Sequence, residues 1–468
     1  MKEKVLTQAR GILAGLRSKG SFTQNLAVAF SSNALAFVIT FLFTPIFSRI
    51  YTPEAYGRFS LFNSIAVNLI VFASLNYTNA FVLPRTKESF MNLARLALGL
   101  CVGISVLTMG VFLLFGHQIL AFFNASDLAG YMYLIPVAVF LGGLSNIWNN
   151  WNLREKEFRR NGGVQIATSL SSRLVGLGYG LLIGGNTPGL ILGDLVLKTT
   201  SAVLAVGQSI RSQLGELLRH WNVGELRQIA HEYRGYPLYA MPGTWISVLT
   251  SQAPVFLLSR FYGVAAVGQF SFANSLLNIP IQLIAYSMGP VFLQRATELH
   301  HENPERLRDL VSNMYTKVFY IGVVPFGIIS VFGEYIFTIF LGKQWQLAGV
   351  FAGYMGYYYI FYMISFFLAS LYTVLNKQNY TLLSHIINLG LMVISFIPGV
   401  LLNDSKLFVM CFSISSVLAF LANILMVFRL FKVKATKVLL RSWGVLLAVF
   451  VVLTLLRLAL ELVFPLPK

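Results

Sequence analysis

The sequence predicts an all-α polytopic membrane protein: two pseudo-symmetric lobes of six helices, related as a parallel repeat, plus a C-terminal transmembrane helix. Three observations carry that prediction. The 468 residues are 56% hydrophobic and only 11% charged, with a mean hydropathy of +0.70, whereas soluble domains carry about 25% charged residues. Long apolar runs recur along the whole chain, each near the roughly 20 residues a helix needs to cross the hydrocarbon. A 17-residue segment also occurs twice at a constant offset.

Residues 1–21 are basic and place Val5, Leu6, Ala9, Ile12, Leu13 and Leu16 at helical spacing. They are expected to form an amphipathic segment on the cytoplasmic face rather than a cleaved leader, because an apolar span follows at once. Thirteen spans are predicted: 26–47, 59–83, 96–116, 128–153, 164–185, 190–210, 235–259, 261–294, 318–341, 347–375, 380–402, 407–428 and 443–464. Helices are required, since lipid offers no partner for backbone groups. A closed barrel would need alternating segments of about ten residues, and these runs are longer and do not alternate.

With the N-terminus inside, the inner segments hold 26 Lys and Arg, the outer segments 6, and the spans 3. That bias sets the orientation and explains the net charge of +18 without nucleic acid, because the cations are scattered over short loops. The organisation read from these counts is a cytoplasmic segment 1–21, an N-lobe 22–210, a cytoplasmic linker 211–234, a C-lobe 235–431, and a basic loop with an extra span over 432–468. Cys101 and Cys411 lie in separate apolar runs and are read as packing residues, with no disulfide framework or metal spacing. No metal or cofactor is expected. Asn124-Ala-Ser126 and Asn403-Asp-Ser405 match the glycosylation acceptor pattern by composition alone.

The repeat sets the architecture. Residues 48–64 (SRIYTPEAYGRFSLFNS) and 259–275 (SRFYGVAAVGQFSFANS) agree at nine of 17 positions at an offset of 211. Arg49 thus corresponds to Arg260, Gly57 to Gly268 and Asn63 to Asn274. Six predicted spans separate the copies, so both have the same orientation, as in transporters with a repeat axis along the membrane normal.

The repeat and the segments NYTNAFVLPR (76–85), PVFLLSRFYGVAAVGQFSFANSLLNIPIQLI (254–284), FLQRATE (292–298), IFLGKQWQLAG (339–349) and LNKQ (375–378) resemble bacterial polysaccharide exporters. They are similar to Wzx-type oligosaccharide flippases of the multidrug/oligosaccharidyl-lipid/polysaccharide superfamily, over roughly residues 20–430. The resemblance implies two six-helix lobes around a central cavity. It also implies an undecaprenyl-pyrophosphate-linked glycan as substrate, moved from the inner to the outer leaflet of the bacterial cytoplasmic membrane. Members usually show 12 or 14 spans, against 13 here.

Charges inside the spans are the main candidate site. A cation at mid-membrane depth costs about 2.5–3.5 kcal/mol on insertion scales and normally faces a bundle interior or a wet cavity. Arg173, near the centre of the fifth span, is a candidate pyrophosphate ligand, since guanidinium grips phosphate oxygens bidentately. Lys198, in the sixth span, is its companion. Asp194 is four residues earlier, so the two can form a helical pair, with Asp194 as a switch that takes a proton or ion when substrate takes the lysine. Arg49 and Arg260 are gate candidates at the outer ends, against a reading as snorkelling anchors, and Arg85 is an entrance candidate. Asn33, Asn76, Asn79, Gln252, Asn274, Asn278 and Gln282 are candidates to line a glycan cavity, though interhelical hydrogen bonding accounts for any one of them. Pro45, Pro254, Pro280, Pro290 and Pro325 are expected to kink their helices.

These features predict a flippase for a lipid-linked oligosaccharide, working by alternating access in cell-surface polysaccharide synthesis. Its partners are expected to be the lipid-linked glycan, membrane lipids, and the polymerase and chain-length regulator of the same glycan; nucleic acid is excluded. No GxxxxGK[ST] motif is present, which argues against direct ATP hydrolysis. A multidrug antiporter of the same superfamily is the alternative, although cationic drugs would favour buried acids. A membrane-embedded glycan polymerase or glycosyltransferase is the other; the short outer loops carry no paired acids and no activated nucleophile.

Overall fold

The computed structural model describes residues 22–219, 221–375 and 377–463; the amphipathic segment expected at 1–21 lies outside them. The described residues fold almost entirely as helix. In chain order these are α1 (Phe22–Ile50), α2 (Pro53–Ile70), α3 (Lys87–Phe122), α4 (Leu134–Arg154), α5 (Phe158–Leu182), α6 (Thr187–Leu204), α7 (Gln208–Arg219) and α8 (Val223–Glu232). They continue as α9 (Met241–Tyr262), α10 (Val264–Glu302), α11 (Pro304–Leu341), α12 (Gln346–Ala369), α13 (Gln378–Leu402), α14 (Ser405–Leu430) and α15 (Ala435–Val463).

Each of the thirteen predicted spans coincides with a helix, but their apolarity differs. Among the described residues eight helices are long and apolar enough to cross a membrane, or nine if the bent pair α6–α7 counts as one. The other four, α2, α4, α5 and α10's neighbour α9, have 18 to 25 residues and are too polar for that standard. Asn146, Asn149, Asn150 and Asn152 are the cause in α4, and Arg159, Arg160, Gln165 and Arg173 in α5.

Local signals set the helix ends. The Thr86 side chain accepts from Ser89 N at 3.2 Å and opens α3. Asn303 accepts from Arg306 N at 3.1 Å ahead of Pro304, the first residue of α11. Asp404 accepts from Lys406 N at 2.7 Å before α14. Each satisfies an amide that the helix start leaves without a partner. Gly263 (φ 82°) separates α9 from α10 and Gly342 (φ 108°) ends α11, a left-handed region that costs glycine little.

Two expectations change. The second span, expected over 59–83, stops at Ile70; turns and a short 3-10 helix (Tyr77–Ala80) follow, with Leu75 and Asn76 in left-handed conformation (φ 46° and 64°). The segment 211–234, expected as a linker, is not a bare loop. It carries the end of α7 and all of α8, and α7 turns 87° away from α6.

The chain divides into two compact units. The first holds Phe62–Leu249 and the described residues before Thr44; the second holds Thr44–Leu61 and the described residues from Thr250 onward.

Candidate functional site

α5 and α6 form an antiparallel pair in the first unit, joined at Gly184 (φ 118°). Small residues let the pair close: a Cβ on Gly193 would come within 3.1 Å of the Ser172 carbonyl, the close backbone approach typical of helices packed in membranes. Ser171 Oγ and Thr200 Oγ1 are 3.3 Å apart. These contacts put Arg173, beside Ser172, at the level of residues 194–200 on α6. Lys198 Nζ donates to Asp194 Oδ2 along the same face of α6, with the two side chains only 10% and 11% exposed. Behind the pair, Ser145 Oγ of α4 donates to the Lys198 carbonyl at 3.1 Å. Arg173 is half-buried. At this level, away from Arg159 and Arg160 at the start of α5, the helix pair places two cations, Arg173 and Lys198, and one carboxylate, Asp194, between apolar turns.

The other candidates separate by environment. Arg49, Arg85, Arg260, Asn79 and Gln282 are exposed, while Asn33, Asn76 and Gln252 are half-buried. Asn274 and Asn278 are engaged in the second unit. Tyr359 Oη of α12 donates to Asn274 Oδ1 at 2.5 Å, and Asn278 Nδ2 donates to that hydroxyl at 2.9 Å and to the Asn274 carbonyl at 3.0 Å. The two amides act as an interhelical brace on a buried tyrosine.

The repeated segments meet each other. A Cβ on Gly57 would overlap the carbonyl of Val264, and a Cβ on Gly268 would overlap the carbonyl of Pro53. Positions 53 and 264 are themselves related by the offset of 211, so the contact is reciprocal. Gln344 and Trp345, from the 339–349 segment, then fasten this crossing. Both donate to the Ser48 carbonyl, Trp345 Nε1 at 2.7 Å. Gln269 holds the Gln344 carbonyl at 2.6 Å and accepts from Ala348 N at 2.8 Å. The Trp345 ring stacks on Phe272 (4.0 Å) and meets Tyr56 edge-on (5.3 Å). The two repeated segments and part of the 339–349 segment thus build one knot in the second unit.

Several other cations hold neighbouring segments in place. Arg95, 4% exposed, donates to the carbonyls of Glu216 (2.8 Å) and Leu217 (3.3 Å) and to Asn92 Oδ1 (2.5 Å). It caps the C-terminus of α7, where carbonyls lack partners and the helix dipole favours a cation. Arg154 stacks 4.3 Å over Phe90 and donates to the carbonyls of Phe81 and Pro84, holding the irregular segment after α2. In the second unit, Arg457 of α15 lies between Glu461 (2.7 Å) and Glu334 of α11 (3.5 Å) and donates to the Val331 carbonyl at 2.9 Å. The positive-inside count foreshadows Arg95 and Arg154, but nothing in the sequence separates a capping arginine from a solvated one.

This helical multi-pass architecture has counterparts among solved transporters of the multidrug/oligosaccharidyl-lipid/polysaccharide superfamily, whose fold it shares. An inward-facing multidrug-resistance MATE family transporter of that superfamily matches with a TM-score of 0.66, covering 91% of this chain and 98% of its own, at 15% identity. The lipid II flippase MurJ in an inward closed conformation matches with a TM-score of 0.67, covering 92% and 97%, at 13% identity. A family model described as "Polysaccharide biosynthesis protein" matches residues 46–350, well over half of the sequence, and the chain belongs to this family. The succinoglycan biosynthesis transport protein ExoT of Rhizobium meliloti (strain 1021) is 23% identical over 343 residues, 70% of this chain and 64% of that protein. The chain thus spans less than two thirds of that relative's length.

Proposed function

We propose that this protein moves a lipid-linked oligosaccharide, carried on undecaprenyl pyrophosphate, from the inner to the outer leaflet of the bacterial cytoplasmic membrane for surface polysaccharide synthesis. The carrying observation is the charge trio on α5 and α6. Arg173, Lys198 and Asp194 sum to one positive charge inside a helix pair where ions are costly, and a diphosphate is the anion such a group can attract. Arg173 is the more open cation and suits bidentate contact with phosphate oxygens. Lys198 engages the ligand only by leaving Asp194, which makes the pair a switch between an empty and a loaded state. Membership of the polysaccharide biosynthesis family and likeness to a succinoglycan transport protein support a glycan cargo rather than a drug.

In this reading lobes 22–210 and 235–431 rock between inward-open and outward-open states, with the N-terminus cytoplasmic. Arg85 guides the anionic head in, and Arg49 and Arg260 act at the outer exit. A glycan polymerase and its chain-length regulator take the product. The test is reconstitution of the full chain in proteoliposomes with a fluorescent undecaprenyl-pyrophosphate glycan. Arg173→Gln is expected to slow translocation at unchanged protein level. Wild-type rates from Arg173→Gln combined with a Lys198→Met/Asp194→Leu pair would remove the anion site.

A further inference from the structure

A second polar place in the first unit is uncharged, and it lies where the second predicted span breaks. The segment after α2 and the start of α9 are joined by a directional chain of hydrogen bonds. Asn79 Nδ2 donates to Asn76 Oδ1 (3.1 Å), Asn76 Nδ2 donates to Thr244 Oγ1 (2.9 Å), and Thr244 Oγ1 donates to the Ala240 carbonyl (3.0 Å). Both supporting segments are irregular. Leu75 and Asn76 are left-handed, and Tyr236–Ala240 forms a π-helical turn, a feature often found at functional sites. Asn79 and Thr244 are exposed and Asn76 is half-buried. Next to Thr244, the half-buried Trp245 meets Phe72 edge-on at 5.5 Å.

Two physical points say what this row faces. Irregular backbone and exposed amides are tolerated only against protein or water, because hydrocarbon satisfies neither. The two ends of the row, Asn79 and Thr244, are exposed, so they face water or a polar ligand. Its hydrogen bonds also run one way, which leaves Asn79 Oδ1 as an acceptor and a second N–H on each amide as donors. Such a donor–acceptor pair matches the hydroxyls of a sugar ring, and the Trp245 ring beside it offers an amphipathic face. No Asp, Glu, Lys or Arg occurs in residues 71–84 or 235–259, and Arg154, which reaches this segment, is engaged by the Phe81 and Pro84 carbonyls.

We infer that Asn76, Asn79, Thr244 and Trp245 form a subsite for neutral, hydroxyl-rich glycan units, separate from the cations of α5 and α6. The inference rests on the proposal that the cargo is a glycan. It divides the labour: the charge trio takes the pyrophosphate and the amide row takes sugar.

The test uses the full chain in nanodiscs and saturation-transfer NMR with two probes, a neutral glucan heptasaccharide and inorganic pyrophosphate. Asn76→Gly suits the left-handed backbone while removing the amide, and Thr244→Val keeps the side-chain volume. Wild type is expected to bind the heptasaccharide, and each variant to bind it about tenfold more weakly, with pyrophosphate binding and thermal stability unchanged. Absence of heptasaccharide binding in wild type, or equal binding by stably folded variants, overturns the subsite. Loss of pyrophosphate binding in Asn76→Gly also overturns it, by showing one site instead of two. A wild type that binds the heptasaccharide but not pyrophosphate supports this subsite and counts against the anion site.

Discussion

Removing one partner of the α6 ion pair should harm the fold far more than removing both. Lys198 is 8% exposed and its partner Asp194 sits one helical turn away at similar burial. Desolvating two charges nearly cancels the gain of pairing them, whereas one charge left alone in the interior costs about 3–5 kcal/mol. Lys198→Met and Asp194→Leu should each destabilise by that amount, a factor of more than about 100 in the folding equilibrium. The double variant should return close to wild type, so the two single effects, about 6–10 kcal/mol together, should appear almost entirely as coupling energy. The assay is reversible unfolding of the full chain in bicelles, followed by steric trapping, for all four members of the cycle. Additive single effects would refute the argument, since additivity means that each charge finds another partner or water. A stable double variant also separates fold from transport: any loss of translocation in it belongs to the site alone.

Other expectations follow from the same contacts. Gly57→Ala or Gly268→Ala drives a methyl into the opposing backbone carbonyl, and either should cost about 3 kcal/mol or more, read as loss of the monodisperse peak in fluorescence-detected size exclusion. Arg95→Ala should cost about 2–3 kcal/mol by orphaning the α7 carbonyls and should raise hydrogen exchange across residues 208–219. Lys87→Ala, which breaks an exposed pair with Glu216 at 2.7 Å, should move neither readout. Trp345→Phe keeps the stack on Phe272 but deletes the donor to the Ser48 carbonyl, and should cost about 1 kcal/mol in thermal unfolding.

Much of this fold was legible because membrane helices are written in one dimension. An apolar run of about 20 residues has little choice but to be a helix, so each of the thirteen predicted segments overlaps a helix, the second only as far as Ile70. The break at Ile70 was missed because Phe72, Ala73, Leu75, Phe81 and Val82 keep the segment apolar while its backbone turns. The linker helices were missed because α7 and α8 are short, and their stability comes from Arg95, Asn92 and Glu225 rather than from a long periodic pattern. At the candidate site the Asp194–Lys198 pair was readable from its spacing of four. The brace of Tyr359 on Asn274 and the relay from Asn76 to Thr244 span 85 and 168 residues of sequence, and only tertiary packing brings such partners together.

The glycine crossing resembles the join in a two-fold dimer, where every surface residue must serve both sides of the axis at once. Fusing the copies into one chain lifted that demand. The difference is visible at one pair of equivalent positions: residue 58 is Arg, while its counterpart Gln269 holds the 342–348 turn. In a symmetric dimer the same fastening would have to be built on both sides of the axis.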